Sequence, residues 1–118
     1  MFFLPRRVEK PWGYEIWFAH TEKYVGKIIH VNAGQQLSLQ YHVHKDETLF
    51  CLNGRAILVY EKDGILVEEI FEIGKSFHVL PGTKHRLKAG SESCDMLEAS
   101  TSEVDDVIRL QDDYGRNI

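Results

Sequence analysis

Polar and apolar residues alternate through short runs along most of this chain, and residues that bend the backbone separate the runs. YEIWF (14–18), VGKIIHV (25–31), LSLQYHV (37–43), ETLFCL (47–52), RAILVY (55–60), ILVEEIF (65–71), KSFHVL (75–80), KHRLKA (84–89), CDMLEA (94–99) and DDVIRL (105–110) each read as a β-strand. Between them stand Asn32-Ala33-Gly34, Asn53-Gly54, Lys62-Asp63-Gly64, Glu72-Ile73-Gly74 and Pro81-Gly82. These supply positive φ or a fixed bend, so each is expected to turn a hairpin. In RAILVY apolar side chains occupy both phases, Ala56, Leu58 and Tyr60 on one, Ile57 and Val59 on the other. Such a strand needs cover on both faces, as in a sandwich, a barrel or a dimer interface. Roughly ten short strands at near-regular spacing predict a closed all-β architecture, either a barrel or a double-sheet jelly roll.

Composition narrows the classes. With 43% hydrophobic and 27% charged residues spread along 118 positions, one globular domain over 1–118 is expected, with no internal linker. The net charge of −4 and the lack of a basic run offer nothing to a polyphosphate backbone, so no nucleic-acid partner is expected. MFFLPRR places its apolar run ahead of its arginines, the reverse of a secretory leader, and no apolar stretch reaches membrane-spanning length. A cytoplasmic protein without membrane association is therefore expected. Cys51 and Cys94 form no CxxC pattern and read as reduced packing residues.

The candidate chemistry gathers in LSLQYHVHKDETLFCLNG, residues 37–54. Positions two apart on a strand share a face, so Gln40, His42 and His44 have one phase. Glu47 follows across Lys45-Asp46, where a bend could turn its carboxylate back toward them. His85 arrives from a strand nearly forty residues later. Imidazole and carboxylate donors converging from separate strands are what a metal site requires. His20, His30 and His78 carry no such pattern and read as structural or exposed.

On these residues the chain resembles the cupin superfamily, with its motifs G-x5-H-x-H-x4-E-x6-G and G-x5-P-x-G-x2-H-x3-N. The first aligns through Gly34, Gln40, His42, Glu47 and Gly54, which leaves the visible His42/His44 pair out of register. The second aligns through Gly74, Gly82 and His85, with Leu80 and Ala89 in place of the motif's Pro and Asn. The resemblance implies a cupin double-stranded β-helix (jelly-roll barrel) and a metal set of Gln40, His42, Glu47 and His85. It leaves His44 beside the pocket. Amide, imidazole and carboxylate donors suit a divalent ion such as Zn²⁺, Mn²⁺, Fe²⁺ or Co²⁺ with open positions.

A glutamine in that place is similar to the SxQxH strand of phosphomannose isomerases. The chain further resembles the C-terminal cupin domain of the type II enzymes through KPWGYE (10–15), LSLQYHVHKDE (37–47), PGTKHRL (81–87) and VDDVIRLQDDYGR (104–116). That resemblance implies an aldose–ketose isomerase interconverting mannose 6-phosphate and fructose 6-phosphate. Alternatives in the same fold are a sugar or nucleotide-sugar binding cupin without turnover, or another small cupin enzyme such as an epimerase. No nucleotidyltransferase portion accompanies the cupin in this sequence, so guanylyltransferase activity is not expected of it.

For the isomerase, His44 and Lys45 are the candidate bases, Lys45 provided that a nearby cation lowers its pKa. Lys27, Lys45 and Arg109 are the candidate substrate-binding residues for the phosphate of a small sugar phosphate. Arg86 leaves the opposite face of its strand and is assigned to an ion pair with Asp105 or Asp106. Arg116 reads either as a clamp for the tail or as a ligand-binding residue, and Trp12 as packing. A homodimer, through strand exchange or sheet packing and compatible with the doubly apolar RAILVY, completes the expectation.

Overall fold

The structure is a computed structural model and describes residues 1–116. Nine strands occur among them: β1 (Arg6–Lys10), β2 (Gly13–His20), β3 (Val25–Val31), β4 (Leu39–Tyr41), β5 (Glu47–Lys62), β6 (Ile65–Phe71), β7 (Ser76–Val79), β8 (His85–Ser100) and β9 (Ile108–Gln111). All pairings are antiparallel.

Two long strands organise the fold. β5 and β8 pair from Glu47 opposite Ser100 to Tyr60 opposite His85, but register shifts at Cys51/Asn53 and Gly54/Ala56 divide the ribbon into two halves. In one half, residues 94–100 of β8 lie between β3 and the start of β5, and β1, β2 and β7 extend that sheet. In the other, residues 85–89 of β8 lie between the end of β5 and β4, with β6 and β9 at the two edges. The halves fold over one another and enclose Trp12, Ile29, Val31, Leu49, Cys51, Leu58, Phe71, Val79, Leu87, Cys94 and Met96, all buried. Apolar burial of this kind is the main stabilising term, roughly 1.5–3 kcal/mol for each large side chain.

ETLFCL and RAILVY are thus one strand, and so are KHRLKA and CDMLEA. The reason lies at Asn53-Gly54, which is a bulge and not a hairpin. Gly54 has φ 86°, and a Cβ there would stand 2.0 Å from the Ser93 carbonyl oxygen, so the two backbones cross too closely for any side chain. Asp63-Gly64 does turn a two-residue hairpin, both residues having positive φ (52° and 77°), as a type I′ turn needs. β1 went unseen in the sequence because RRVEK is mostly exposed and charged; it is an edge strand held by β2 alone. RAILVY carries apolar residues on both phases because Ala56 and Leu58 enter the core, while Ile57 and Val59 share the outer surface with Ile70 of β6. Trp12 is 2% exposed, as packing predicted. No helix among the described residues is long and apolar enough to cross a membrane.

Candidate metal site and pocket

His42, Glu47 and His85 are buried together, one donor atom of each lying within 4.8 Å of the others. His42 follows the end of β4, Glu47 opens β5 and His85 opens β8. The Pro81-Gly82 turn joins the two histidine segments: the Gly82 N–H donates to the His42 carbonyl at 2.7 Å, and φ of Gly82 is 84°. Each imidazole is oriented by a backbone carbonyl. His42 Nδ1 lies 2.6 Å from the Asp106 oxygen and His85 Nδ1 lies 2.9 Å from the Thr83 oxygen. A carbonyl only accepts, so both Nδ1 atoms carry the proton and both Nε2 atoms turn a lone pair inward. There they meet Glu47 Oε1, at 3.6 Å from His42 and 3.3 Å from His85.

Three acceptors facing one point need a positive charge between them, either extra protons on the rings or a metal ion. His42 Nε2 is buried with no hydrogen-bond partner. The donor set, two neutral imidazoles and a carboxylate, fits a divalent transition ion. Burial pushes the Glu47 carboxyl up, but His42, His85 and Lys45 outweigh it and hold Glu47 well below the usual carboxylate range.

Gln40 lies directly across from His85 in the sheet, so the two side chains share the pocket face. Its Oε1 accepts a hydrogen bond from the buried Ser38 hydroxyl at 2.9 Å. The serine of the SxQxH pattern therefore orients the glutamine.

His44 is not in the pocket. Alternation would aim it alongside His42, but β4 ends at Tyr41 and a bend at residues 43–44 leaves His44 exposed and Lys45 buried. Asp106 shapes that bend: its carboxylate accepts from the backbone N–H groups of Val43 (2.9 Å), His44 (2.6 Å) and Lys45 (2.9 Å). His44 as pocket base is corrected accordingly.

Lys45 Nζ sits between two buried carboxylates, 3.0 Å from Glu47 Oε2 and 3.2 Å from Glu98 Oε2. The contact with Glu47 is off the line of a hydrogen bond and acts as an ion pair. Burial lowers the Lys45 pKa, but Glu98 and Glu47 more than reverse this and raise it above the ordinary lysine range. Lys45 is thus fixed as an ammonium, contrary to its expected part as a base with lowered pKa. Glu98 went unnoticed in the sequence, where CDMLEA showed only strand alternation. Burial and the Glu47 charge raise its pKa although Lys45 pulls the other way, and Ser100 Oγ donates to it at 3.0 Å.

Of the expected phosphate ligands, Lys27 lines the pocket but is paired with Glu15 at 3.4 Å and lies 4.3 Å from the Trp17 ring centre. Arg109 also lines it, one strand beyond Gln40. Lys10 and Arg116 join them, the first having entered the sequence reading only within the KPWGYE motif. Arg116 is clamped by Asp112 through Nε (3.0 Å) and Nη2 (2.7 Å). Arg86 makes no ion pair with Asp105 or Asp106; it donates to the Leu37 and Gln111 carbonyls and so ties β8 to the chain around β4 and β9.

Asp106 holds the loop that carries both His42 and Lys45, and its removal has a measurable consequence. Asp106→Ala should cost roughly 1–3 kcal/mol in unfolding experiments, and should weaken metal binding by up to about 10–100-fold, because the loop that carries His42 loosens even though the main-chain carbonyl that orients its ring is kept. Burial raises the Asp106 pKa, but the three backbone N–H groups and His42 bring it down to about 2 from an ordinary 3.8. Its contribution is therefore complete above about pH 4 and is lost as pH falls through about 2. The difference in stability between wild type and Asp106→Ala should shrink across that window.

Two half-sheets folded over a core, with metal-type donors at one end between them, define a cupin. Solved cupins of the same fold include the capsular polysaccharide assembling protein CapF of Staphylococcus aureus, with TM-score 0.80 and 12% identity over 92% of this chain and 33% of that one. Oxalate decarboxylase of Bacillus subtilis matches with TM-score 0.78 and 15% identity over 90% and 30% of the two chains. KdgF from Halomonas sp. matches with TM-score 0.71 and 15% identity over 85% and 90%. Within the cupins, this chain belongs to the family described as mannose-6-phosphate isomerase C-terminal, whose model matches residues 3–112. Among curated relatives, the xanthan biosynthesis protein XanB of Xanthomonas campestris is 30% identical over 115 residues, which is 94% of this chain and 24% of that protein. Mannose-1-phosphate guanylyltransferase ManC of Salmonella typhimurium is 32% identical over 115 residues, 94% and 23% of the two. The chain thus spans about a quarter of the length of the curated relatives it matches.

Proposed function

We propose that this cupin is a metal-dependent aldose–ketose isomerase acting on a sugar phosphate of the mannose 6-phosphate and fructose 6-phosphate type. Gln40, His42, Glu47 and His85 would hold the ion. The observation that carries the reading is the convergence of the His42, Glu47 and His85 donors within 4.8 Å at a pocket lined by further charged groups. Family membership supports it. Zinc, manganese, iron and cobalt all suit the donors; Bacillus subtilis oxalate decarboxylase is described with Mn(II) centres.

A bound divalent ion would polarise the carbonyl and hydroxyl oxygens of the sugar and stabilise the enediolate charge. Ser38 holds the Gln40 amide in orientation, and the Asp106 and Thr83 carbonyls hold the two imidazoles. Proton transfer between the sugar carbons falls to Glu98, a buried carboxylate on the pocket wall whose raised pKa suits a base better than an ordinary carboxylate's. Lys45 holds positive charge beside it. Guanylyl transfer is not part of this reading, since the matched quarter of the guanylyltransferases is their isomerase-family portion.

The test is interconversion of mannose 6-phosphate and fructose 6-phosphate by protein reconstituted with each divalent ion in turn. Turnover should appear with at least one ion and fall by more than about 100-fold in Glu98→Gln, the range general base removal costs. Sugar-phosphate binding without turnover under any of the ions would refute the isomerase and leave a binding module.

A further inference from the structure

We propose that Lys10 and Arg109, with Arg116 behind them, form the subsite that grips the phosphate group of the substrate. The sugar part of this assignment rests on the isomerase reading above; the anion site itself rests on charge and topology. Five basic side chains line the pocket, and two are already engaged. Lys45 lies between Glu47 and Glu98, and Lys27 on Glu15. Arg116 is half engaged, Asp112 occupying its Nε and Nη2 while Nη1 makes no contact with that carboxylate. Lys10 and Arg109 have no carboxylate within ion-pairing distance among the described residues, and Arg109 Nε is buried without a hydrogen-bond partner. Burial lowers the Lys10 pKa, Glu15 pulls it back up, and Lys27, Arg116 and Arg109 add to the lowering; burial and Arg116 lower that of Arg109 against the pull of Asp112. With Glu15 paired to Lys27 and Asp112 to Arg116, Lys10 and Arg109 are the surplus cations of the cluster, and surplus cations held near one another form a site for an anion.

Topology places the anion site where a hexose phosphate needs it. β1 and β9 are edge strands of the two half-sheets, and both lie on the side of β8 away from β5. Lys10 ends β1 and Arg109 lies in β9, so the two cations line the pocket from these edge strands. Across the second half-sheet the order is Arg109, Gln40, His85. Two strand spacings separate the outer members, about 10 Å between backbones. A sugar lying over Gln40 can therefore present its carbonyl end to the His42–Glu47–His85 cluster and its phosphate to Arg109. A guanidinium fork beside an ammonium suits the three terminal oxygens of a phosphate ester better than a single carboxylate.

Calorimetric titration with inorganic phosphate tests the subsite without turnover. Metal-loaded and metal-free wild type should both bind phosphate, with affinity reduced at least tenfold in Lys10→Gln and in Arg109→Gln. The exposed Lys62→Gln should match wild type. Lys10 is only half-buried, so its variant remains a fair test if Arg109→Gln fails to fold. Unchanged phosphate affinity in Lys10→Gln, or in a folded Arg109→Gln, overturns the subsite. The isomerase reading fails separately: phosphate binding that depends on Lys10 and Arg109 with no isomerisation keeps the subsite and removes the isomerase. Isomerisation whose KM for mannose 6-phosphate is untouched in both variants does the reverse.

Discussion

Glu47→Gln is expected to release the divalent ion from the protein, with affinity falling by far more than the roughly 100-fold that loss of an outer partner costs. Among the described residues the carboxylate is the only anion aimed between the two imidazoles, through Oε1 at 3.6 and 3.3 Å from their Nε2 atoms. An amide there keeps the volume but removes the charge that offsets ion dehydration. His42→Ala and His85→Ala should empty the site as well, each deleting a lone pair whose direction a backbone carbonyl has set. Gln40→Ala should weaken binding, and His44→Ala should leave it close to wild type because that ring is exposed. Metal content after dialysis, measured by elemental analysis, decides the matter. Retention of metal in Gln40→Ala with loss in His44→Ala would mean that the ligand register is wrong.

The second large effect is on stability. Lys45→Met should destabilise the metal-free protein by about 3–5 kcal/mol, the usual result of removing one member of a buried ionic group. Its Nζ is the one positive charge within ion-pairing distance of both Glu47 and Glu98 among the described residues, and both carboxylates are about 4% exposed. Adding Glu98→Gln to Lys45→Met should recover part of the loss, because one of the two facing charges is then gone. Chemical denaturation of the three proteins checks both statements. The pH dependence has a definite sign. Lys45 has its pKa raised on folding, so its contribution is complete at neutral pH and is lost only as pH rises through a folded value above the ordinary lysine range. The destabilisation caused by Lys45→Met should therefore stay level from about pH 7 to 10. A difference that shrank across that interval would show that Lys45 is not the clamped ammonium described.

Strand-level organisation was legible from alternation, because each strand buries one face and the period of two appears directly in the residues. VGKIIHV coincides with β3 and ILVEEIF with β6. What failed were breaks in that period. His44 was read two positions on from His42 as though β4 continued, whereas the Asp106 carboxylate, more than sixty residues away in sequence, captures three successive N–H groups and turns the chain. Asn53-Gly54 has the composition of a hairpin turn, and only the approach of Ser93 shows that it is a bulge.

By itself, then, the sequence determined an all-β chain and the types and spacing of its candidate donors, among which the resemblance to the cupin motifs implied Gln40, His42, Glu47 and His85. Those are local properties, set by alternation and motif distance. Only the tertiary structure decided that the donors meet. Glu47 begins β5, while His85 pairs with Tyr60 near its far end, so on a straight ribbon the two would stand about 40 Å apart. The bulged ribbon folds over its own core and brings them to 3.3 Å. The same folding makes β1 and β9 the ends of the strand order and, among the described residues, leaves Lys10 and Arg109 with no carboxylate at ion-pairing distance, because charge pairing depends on which strands become neighbours and not on which residues are adjacent in the chain.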